Sequence, residues 1–306
     1  MKKDAKINLW MVGSIGIDDI QTRDANRKNL LGGSLPFATV SAAFSGARVG
    51  AVGVIGSDFP KSFSTRWQKF NTDLAGVQRA KGPNFRWAGK YDDNMIDRET
   101  LKTELGVFAD FMPVLPEAYR DAAFVLLGNI QPDLQLHVLK QAKKPKFVAL
   151  DSMNLWIEIA RPSLLTIIAE VDLLTVNDSE ARMLTGKWNL RDCAAEILKM
   201  GPTYVLLKKG EHGAMLFSKK DLFIVPAYPV KTLKDPTGAG DSYIGAFMGY
   251  LAQANKADFK TLRKALIFAS VMASFGVEGF SIERFEKLSK AEVNARLREL
   301  TKMTAV

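Results

Sequence analysis

The chain has 306 residues, of which 47% are hydrophobic and 25% charged, and its formal net charge is +9. This length fits one large α/β domain or two small ones, and no 20-residue apolar run is present that could form a transmembrane helix. Lys and Arg are scattered rather than gathered in a basic block, which argues against nucleic acid as a partner. The single cysteine, Cys193, cannot form an intramolecular disulfide, which is consistent with a reducing cytoplasm. We therefore expect a cytoplasmic protein with no nucleic-acid or membrane partner.

Along the chain, apolar runs typical of buried strands alternate with amphipathic stretches of helical spacing. The predicted strands are residues 7–12, 49–55, 124–128, 147–151, 172–176 and 204–208, followed by a hairpin at 214–218 and 222–226. The predicted helices are residues 37–45, 59–70, 133–142, 162–168, 179–185, 191–200, 242–251, 259–275 and 290–302. Continuous apolar strands with intervening helices predict a mostly parallel sheet covered on both faces, a three-layer α/β/α fold. We interpret residues 1–306 as a single domain.

Residues 76–112 interrupt this alternation. Residues 85–91 alternate in the manner of a strand, residues 92–94 form a turn, and residues 98–108 give a second strand candidate. A small β element inserted in an α/β domain often forms a lid over a site. A surface hairpin without function is the alternative interpretation.

Residues 235–241 read Asp-Pro-Thr-Gly-Ala-Gly-Asp and lead into a helical pattern. Gly238, Ala239 and Gly240 would let backbone N–H groups converge at the helix start, where the positive end of the helix dipole favours an anion. The Asp241 carboxylate lies beside this cradle. An anion cradle next to a proton acceptor is the minimal equipment for phosphoryl transfer to a hydroxyl group. A tight turn followed by a helix cap is the alternative explanation of the same residues.

This heptapeptide resembles the C-terminal signature of the PfkB, or ribokinase-like, family of sugar kinases. Residues 31–38, Leu-Gly-Gly-Ser-Leu-Pro-Phe-Ala, resemble its N-terminal signature, and residues 177–180, Asn-Asp-Ser-Glu, match its N-x-x-E motif. The resemblance spans nearly the whole chain. It implies a ribokinase-like fold with a small β-sheet lid from about residues 17–22 and 76–112. It also implies ATP-dependent transfer of a phosphoryl group to the hydroxymethyl group of a sugar.

The resemblance further implies roles for individual residues. Asp241 would accept the proton of the attacking hydroxyl, and the amides of residues 238–240 would stabilise charge on the transferred group. The remaining implied roles are sugar contacts for Asp18, Gly32 and Gly33, nucleotide contacts for Asn177, Lys208, Gly210, Gly238 and Gly240, water-mediated Mg²⁺ binding for Glu180 and Asn177, and a K⁺ site near Asp235 and Thr237. Without this context, residues 177–180 are simply a helix-capping sequence. Lid strands of this family commonly pair, so a homodimer is a further expectation.

Phe37 departs from the family pattern, which has Asn at this position for binding sugar hydroxyls. A phenyl ring in place of an amide removes hydrogen bonds to the sugar and adds an apolar wall to the expected substrate site. A nucleoside kinase of the same superfamily is therefore the nearest alternative, because Phe85, Trp87 and Tyr91 of the lid segment would suit a flat base. A non-catalytic sugar-binding protein is a third alternative, against which the intact Asp241 argues.

Overall fold

The structure is a computed structural model that describes residues 6–305. Its strands are Leu9–Val12 (β1), Gly16–Gln21 (β2), Asn26–Gly32 (β3), Val49–Ile55 (β4), Thr72–Arg79 (β5), Phe85–Tyr91 (β6), Arg98–Glu104 (β7), Phe124–Leu127 (β8), Phe147–Asp151 (β9), Leu173–Asn177 (β10), Tyr204–Lys208 (β11), Ala214–Phe217 (β12) and Leu222–Val225 (β13). Its α-helices are Ser34–Ala43 (α1), Lys61–Gln68 (α2), Pro132–Leu139 (α3), Asn154–Ile159 (α4), Arg161–Ile168 (α5), Asp178–Thr185 (α6), Leu190–Lys199 (α7), Ala239–Ala254 (α8), Phe259–Gly276 (α9), Glu283–Glu286 (α10) and Lys290–Met303 (α11). Within the described part of the chain, no helix is both long enough and apolar enough to cross a membrane.

Nine strands form one large sheet in the order β13-β12-β11-β10-β9-β8-β1-β4-β5. The strands from β11 to β5 pair in parallel, whereas β12 and β13 add an antiparallel hairpin at one edge. The predicted strands at 49–55, 147–151 and 204–208 have the bounds that the structure gives to β4, β9 and β11. The first predicted strand, 7–12, begins at Leu9 instead, and the helix predicted at 37–45 begins at Ser34.

Helices cover both faces of the large sheet, which confirms the predicted three-layer α/β/α fold. Successive side chains of β1 point to opposite faces, so that Leu9 and Met11 enter one hydrophobic core while Trp10 and Val12 enter the other. The first core is closed mainly by α1, α8 and α9, and the second by α3 to α7. Cys193 is buried in the second core, on α7.

A second sheet of four strands, in the order β3-β2-β6-β7, lies apart from the large one. We call it the lid sheet. Strand β3 was not among the predicted strands, because its first four residues are polar and exposed and show no alternation. Two expected bounds are wrong: residues 76–79 belong to β5 of the large sheet, and the strand predicted over 98–108 ends at Glu104. A short 3₁₀ turn, Gly106–Phe108, follows that strand and packs near β4 and β6.

A seam of small residues joins α1 to α8. A Cβ placed on Gly245 would lie less than 3 Å from the backbone of Ala38, and a Cβ on Gly249 would meet Ala42 in the same way. The absence of side chains at these two positions lets the helix backbones touch. The two helices whose N-termini carry the glycine-rich segments are therefore packed directly against each other.

Candidate active site

Polar residues gather at one edge of the large sheet, where its central strands end. Asp151, Asn177 and Lys208 are the last residues of the neighbouring strands β9, β10 and β11. Ligands of open α/β sheets bind at the carboxyl ends of the strands, so this edge is the expected place for a site. The first turn of α8 reaches the same edge, because a Cβ on Gly240 would lie 3.3 Å from the Lys208 Nζ.

The turn at residues 235–241 runs into α8 through Gly238. Gly238 has a φ of 74° and a ψ of 6°, a left-handed conformation that glycine adopts without strain. A Cβ at this position would also lie less than 3 Å from three ring carbons of Phe37. The turn therefore requires glycine here for two independent reasons, its backbone conformation and the lack of space above the ring.

Phe37 lies beneath this turn and is 3% exposed. Its ring belongs to the larger hydrophobic core and packs against the Gly238 backbone. The structure thus gives the phenyl ring a supporting position under the glycine turn. A role as an apolar wall of the substrate site stays a prediction.

Two backbone N–H groups at this turn already donate hydrogen bonds within it. The Ala239 N–H donates to the Pro236 carbonyl at 3.1 Å, so this amide is engaged locally. The buried Asp235 carboxylate accepts the Thr237 N–H at 2.9 Å. Burial raises the pKa of Asp235 to about 6, although the hydrogen bonds of Thr237 act in the opposite sense. The proposed roles of Gly238 and Gly240 in holding an anion stay predictions.

Asp18 on β2 is 4% exposed and points into the space beneath the lid sheet. Its Oδ1 atom has no hydrogen-bond partner within the described residues, while the Gly33 N–H donates to the carboxylate. Burial raises the pKa of Asp18 to about 8, and the nearby charges of Asp235 and Asp241 act in the same sense. A Cβ on Gly32 would overlap the Asp18 carboxyl group. The fold therefore keeps a buried, incompletely bonded carboxyl group at the position predicted to bind hydroxyls.

Asp241 lies in the first turn of α8 and is the predicted proton acceptor. Burial and the negative charge of Asp151 together raise its pKa to about 7, although Lys208 and Arg98 act in the opposite sense. A general base is most effective when its pKa lies near the working pH. The environment of Asp241 thus suits acid–base chemistry near neutrality.

Lys208 and Asp151 form a buried ion pair next to this carboxylate. The Lys208 Nζ donates to Asp151 Oδ1 at 2.9 Å, and the two side chains are 17% and 6% exposed. Burial lowers the pKa of the Lys208 ammonium, but the carboxylates of Asp151 and Glu180 outweigh it and raise the pKa above its usual value. Lys208 is therefore a buried positive charge next to the first turn of α8. Gly210, the other nucleotide residue predicted here, begins a short 3₁₀ turn beyond β11.

Asn177 and Glu180 form a capping box at the start of α6. The Glu180 N–H donates to Asn177 Oδ1, and the Asn177 N–H donates to Glu180 Oε2, both at 2.8 Å. Burial raises the pKa of Glu180, which the nearby Lys208 partly offsets. Within residues 6–305, no group of three or more His, Cys, Asp or Glu side chains could hold a metal ion. The water-mediated Mg²⁺ binding predicted for Asn177 and Glu180 stays a prediction.

Of the three aromatic residues noted in the lid segment, Trp87 and Tyr91 lie near the site, whereas the Phe85 ring packs against Phe108 at 5.5 Å. Asp18 is paired with Trp87 across β2 and β6, so both side chains leave the same face of the sheet. Arg98 on β7 stacks over the Trp87 ring at 5.8 Å. The Tyr91 hydroxyl lies 3.0 Å from the Thr237 hydroxyl, which links the lid sheet to the turn before α8.

Sequence analysis missed two charged residues of this site, Asp151 and Arg98. Asp151 carried a usable signal, because it is a polar residue that ends a buried apolar strand, as Asn177 does at the end of the next strand. Arg98 carried none: it is one of many scattered basic residues, and only the pairing of β6 with β7 brings it to the site.

Comparisons with known proteins identify the relatives of this chain. The profile of the pfkB family carbohydrate kinases matches residues 17–282. A cytidine kinase of Thermococcus kodakarensis is 32% identical over 252 residues, which cover 80% of this chain and 88% of that protein.

Two solved structures share the fold at low sequence identity. The nucleoside kinase of Methanocaldococcus jannaschii superposes with a TM-score of 0.77 at 18% identity, over 97% of this chain and 100% of that one. A candidate ribokinase II of E. coli, solved with ATP and Mg²⁺, gives a TM-score of 0.77 at 18% identity, over 95% of this chain and 99% of that one.

Proposed function

The chain belongs to the PfkB family of carbohydrate kinases, and from this premise we propose that it transfers the γ-phosphoryl group of ATP to the hydroxymethyl group of a nucleoside. The observation that carries the choice of a nucleoside over a free sugar is the 32% identity to a cytidine kinase over 80% of the chain. The replacement of the family's Asn by Phe37, and the aromatic inner face of the lid sheet, support the same choice.

The proposed proton acceptor is Asp241. As the substrate oxygen forms its bond to the γ-phosphorus, the hydroxyl proton passes to the Asp241 carboxylate, and the broken phosphorus–oxygen bond leaves its electron pair on ADP. The Lys208 ammonium and the backbone amides at Gly238 and Gly240 would stabilise negative charge on the transferred group, and the closeness of Lys208 to Gly240 supports this role. Mg²⁺, held through water near Glu180 and Asn177, would supply further charge neutralisation when bound.

Asp18 and the lid sheet are the proposed binding surface for the nucleoside. The unpartnered Oδ1 of Asp18 can accept hydrogen bonds from ribose hydroxyls, which would also make its ionisation less costly. Gly32 and Gly33 let the substrate approach the backbone beside it. The Trp87 indole leaves the same face of the sheet and offers an apolar surface to the base.

Three further parts of the proposal concern surroundings rather than chemistry. A K⁺ ion near Asp235 and Thr237 would offset the cost of a buried carboxylate, so we expect higher activity in K⁺ than in tetramethylammonium at equal ionic strength.

The edge strand β7 is exposed along its whole length, and we propose that it pairs with a second copy of the chain. Light scattering during gel filtration tests this homodimer. We place the enzyme in the cytoplasm.

The test of the function is ADP release from ATP and Mg²⁺ with cytidine, other nucleosides, ribose and fructose as acceptors. We expect turnover with nucleosides and a loss of about 10²- to 10⁴-fold in the Asp241→Asn variant. Asp192→Asn is the matched control, because Asp192 also lies in the first turn of a helix but is exposed on α7. Turnover with ribose or fructose alone would contradict the nucleoside assignment. Stabilisation by a sugar without any turnover would contradict the kinase itself.

A further inference from the structure

Asp151, the partner of Lys208 in a buried ion pair, has no role in the reaction as described so far. The Lys208 side chain crosses the end of β10 to reach Asp151, because β10 lies between β9 and β11 in the sheet. Removing two charges from water costs several kcal/mol per ion unless the geometry is favourable. A pair of this kind at the edge that carries the site therefore calls for a functional explanation.

Lys208 lies among three carboxylates and bonds to one of them. Asp151, Glu180 and Asp241 all act electrostatically on its ammonium group. The Nζ atom also lies next to Gly240, the residue immediately before Asp241. The hydrogen bond nevertheless goes to Asp151 Oδ1.

The residue that accepts the Lys208 hydrogen bond affects how easily Asp241 ionises. An ammonium group bonded to Asp241 would favour its ionised form and so weaken it as a proton acceptor. It would also neutralise the positive charge that faces the glycine turn. When the ammonium is bonded to Asp151, the charges of the two partners act on Asp241 in opposite senses.

We propose that Asp151 is a positioning residue that anchors the Lys208 ammonium beside Gly240, in the first turn of α8, and holds it away from the Asp241 carboxylate. The ammonium is then free to face phosphoryl oxygens, and Asp241 is free to face the substrate hydroxyl. The proposal rests on the kinase function proposed above, because it gives Asp241 the part of proton acceptor.

Four described charged groups act on Asp241, and the test changes the two that form the ion pair. These groups come from four elements: Asp151 on β9, Lys208 on β11, Arg98 on β7 and Asp18 on β2. Asp151→Asn keeps an oxygen that can accept the Lys208 hydrogen bond but removes the negative charge. Lys208 then acts on Asp241 without compensation. We expect the acid limb of the kcat/KM profile to move to lower pH by about half a pH unit or more.

The reciprocal change and the double change make the test specific to the pair. Lys208→Met should move the acid limb to higher pH, because the uncompensated charge is then that of Asp151. The double variant, Asp151→Asn with Lys208→Met, removes both charges and should bring the limb back towards its original position. It also has the best prospect of folding if a single variant does not, since a buried pair is often replaceable but a buried single charge is not.

A second readout does not depend on turnover. The ionisation of Asp241 can be followed by carboxyl ¹³C NMR in the protein without nucleotide, with Asp241→Asn used to assign the signal. The same order of midpoints is expected in the three variants. Asp172→Asn is the matched control, because Asp172 is a partly buried carboxylate at the start of β10, at the opposite edge of the sheet. It should leave the midpoint unchanged.

Several outcomes would overturn the proposal. One is an Asp151→Asn variant that loses rate equally at every pH while the midpoint of Asp241 stays in place, as a purely structural role predicts. Another is a shift of the same size in Asp172→Asn. If the ¹³C midpoints move as expected but no nucleoside or sugar is phosphorylated, the placement of Lys208 stands and the kinase proposal is the one that fails.

Discussion

Replacing Asp18 by Asn removes one titrating group from the space beneath the lid sheet while almost preserving the size of the side chain. In the folded chain, burial raises the pKa of Asp18 from its ordinary 3.8 to about 8. Between these two values the folded protein holds a proton that the unfolded chain has released. The favourable contribution of Asp18 to the free energy of unfolding is therefore fully present below about pH 4 and is lost as the pH rises towards 8.

The size of the effect follows from the bound proton. A difference of one proton changes the free energy of unfolding by about 1.4 kcal/mol for each pH unit. Between pH 5 and pH 7, where Asp18 is mostly protonated in the folded state, this amounts to about 2.5 kcal/mol. Asp235 and Asp241 contribute slopes of the same sign, with pKa values raised to about 6 and about 7, but these contributions are present in both proteins.

Urea unfolding at pH 5, 6, 7 and 8 measures this difference directly. We expect the free energy of unfolding of the original chain to fall more steeply with pH than that of Asp18→Asn, by about 2.5 kcal/mol over the first two pH units. Only the difference in slope is informative, because the new amide changes the hydrogen bonding at every pH. Two curves that run parallel to within about 0.5 kcal/mol would refute the raised pKa of Asp18.

Three more outcomes are expected. Gly238→Ala should destabilise the chain by about 2–3 kcal/mol in urea unfolding for two reasons: the new Cβ would clash with an aromatic ring, and the positive φ is unfavourable for alanine. Gly186→Ala, with a φ of 67° and open space, should cost only about 1 kcal/mol, and equal losses would contradict the clash. The kcat/KM of the kinase should fall as the pH drops below about 7, because Asp241 becomes protonated and can no longer accept a proton; a flat profile from pH 6 to 8 would exclude it as the base. Tyr91→Phe should raise the KM for the acceptor about 3- to 10-fold with little change in kcat, because it removes the hydrogen bond to Thr237. Thr237→Val should give the same increase in KM, and combining the two substitutions should give no further increase.

The sequence predicted most of the large sheet because each of its strands is a short, continuous apolar run. Such runs arise where both faces of a strand are buried, and this is why the bounds of β4 and β9 could be read directly. The lid sheet was predicted less well. Strand β3 is exposed over its first half and is held by pairing with β2 rather than by a pattern of its own, so nothing in its sequence marks it.

For the candidate site, the glycine turn was visible because its requirements are local. Left-handed backbone and close approach leave a signature in adjacent residues, here 238 to 240. The bond between Asp151 and Lys208 was not visible, because the two residues are 57 positions apart and meet only through the order of strands in the sheet. The supporting position of Phe37 was equally hidden, since it depends on a contact between α1 and the start of α8.

The close packing of α1 against α8 makes this part of the molecule stiffer than the lid sheet. With the backbones at Gly245 and Ala38 already in contact, neither helix can roll or slide without a collision, so the glycine turn and the helix bearing Phe37 move as one piece. The lid sheet is joined to the rest of the chain at residues 13–15, 80–84, Gly33 and Leu105, so an opening that admits the acceptor would come from movement at these four connections. An enzyme built this way would keep its phosphoryl-transfer groups assembled between turnovers and would spend its conformational freedom only on admitting and releasing the acceptor.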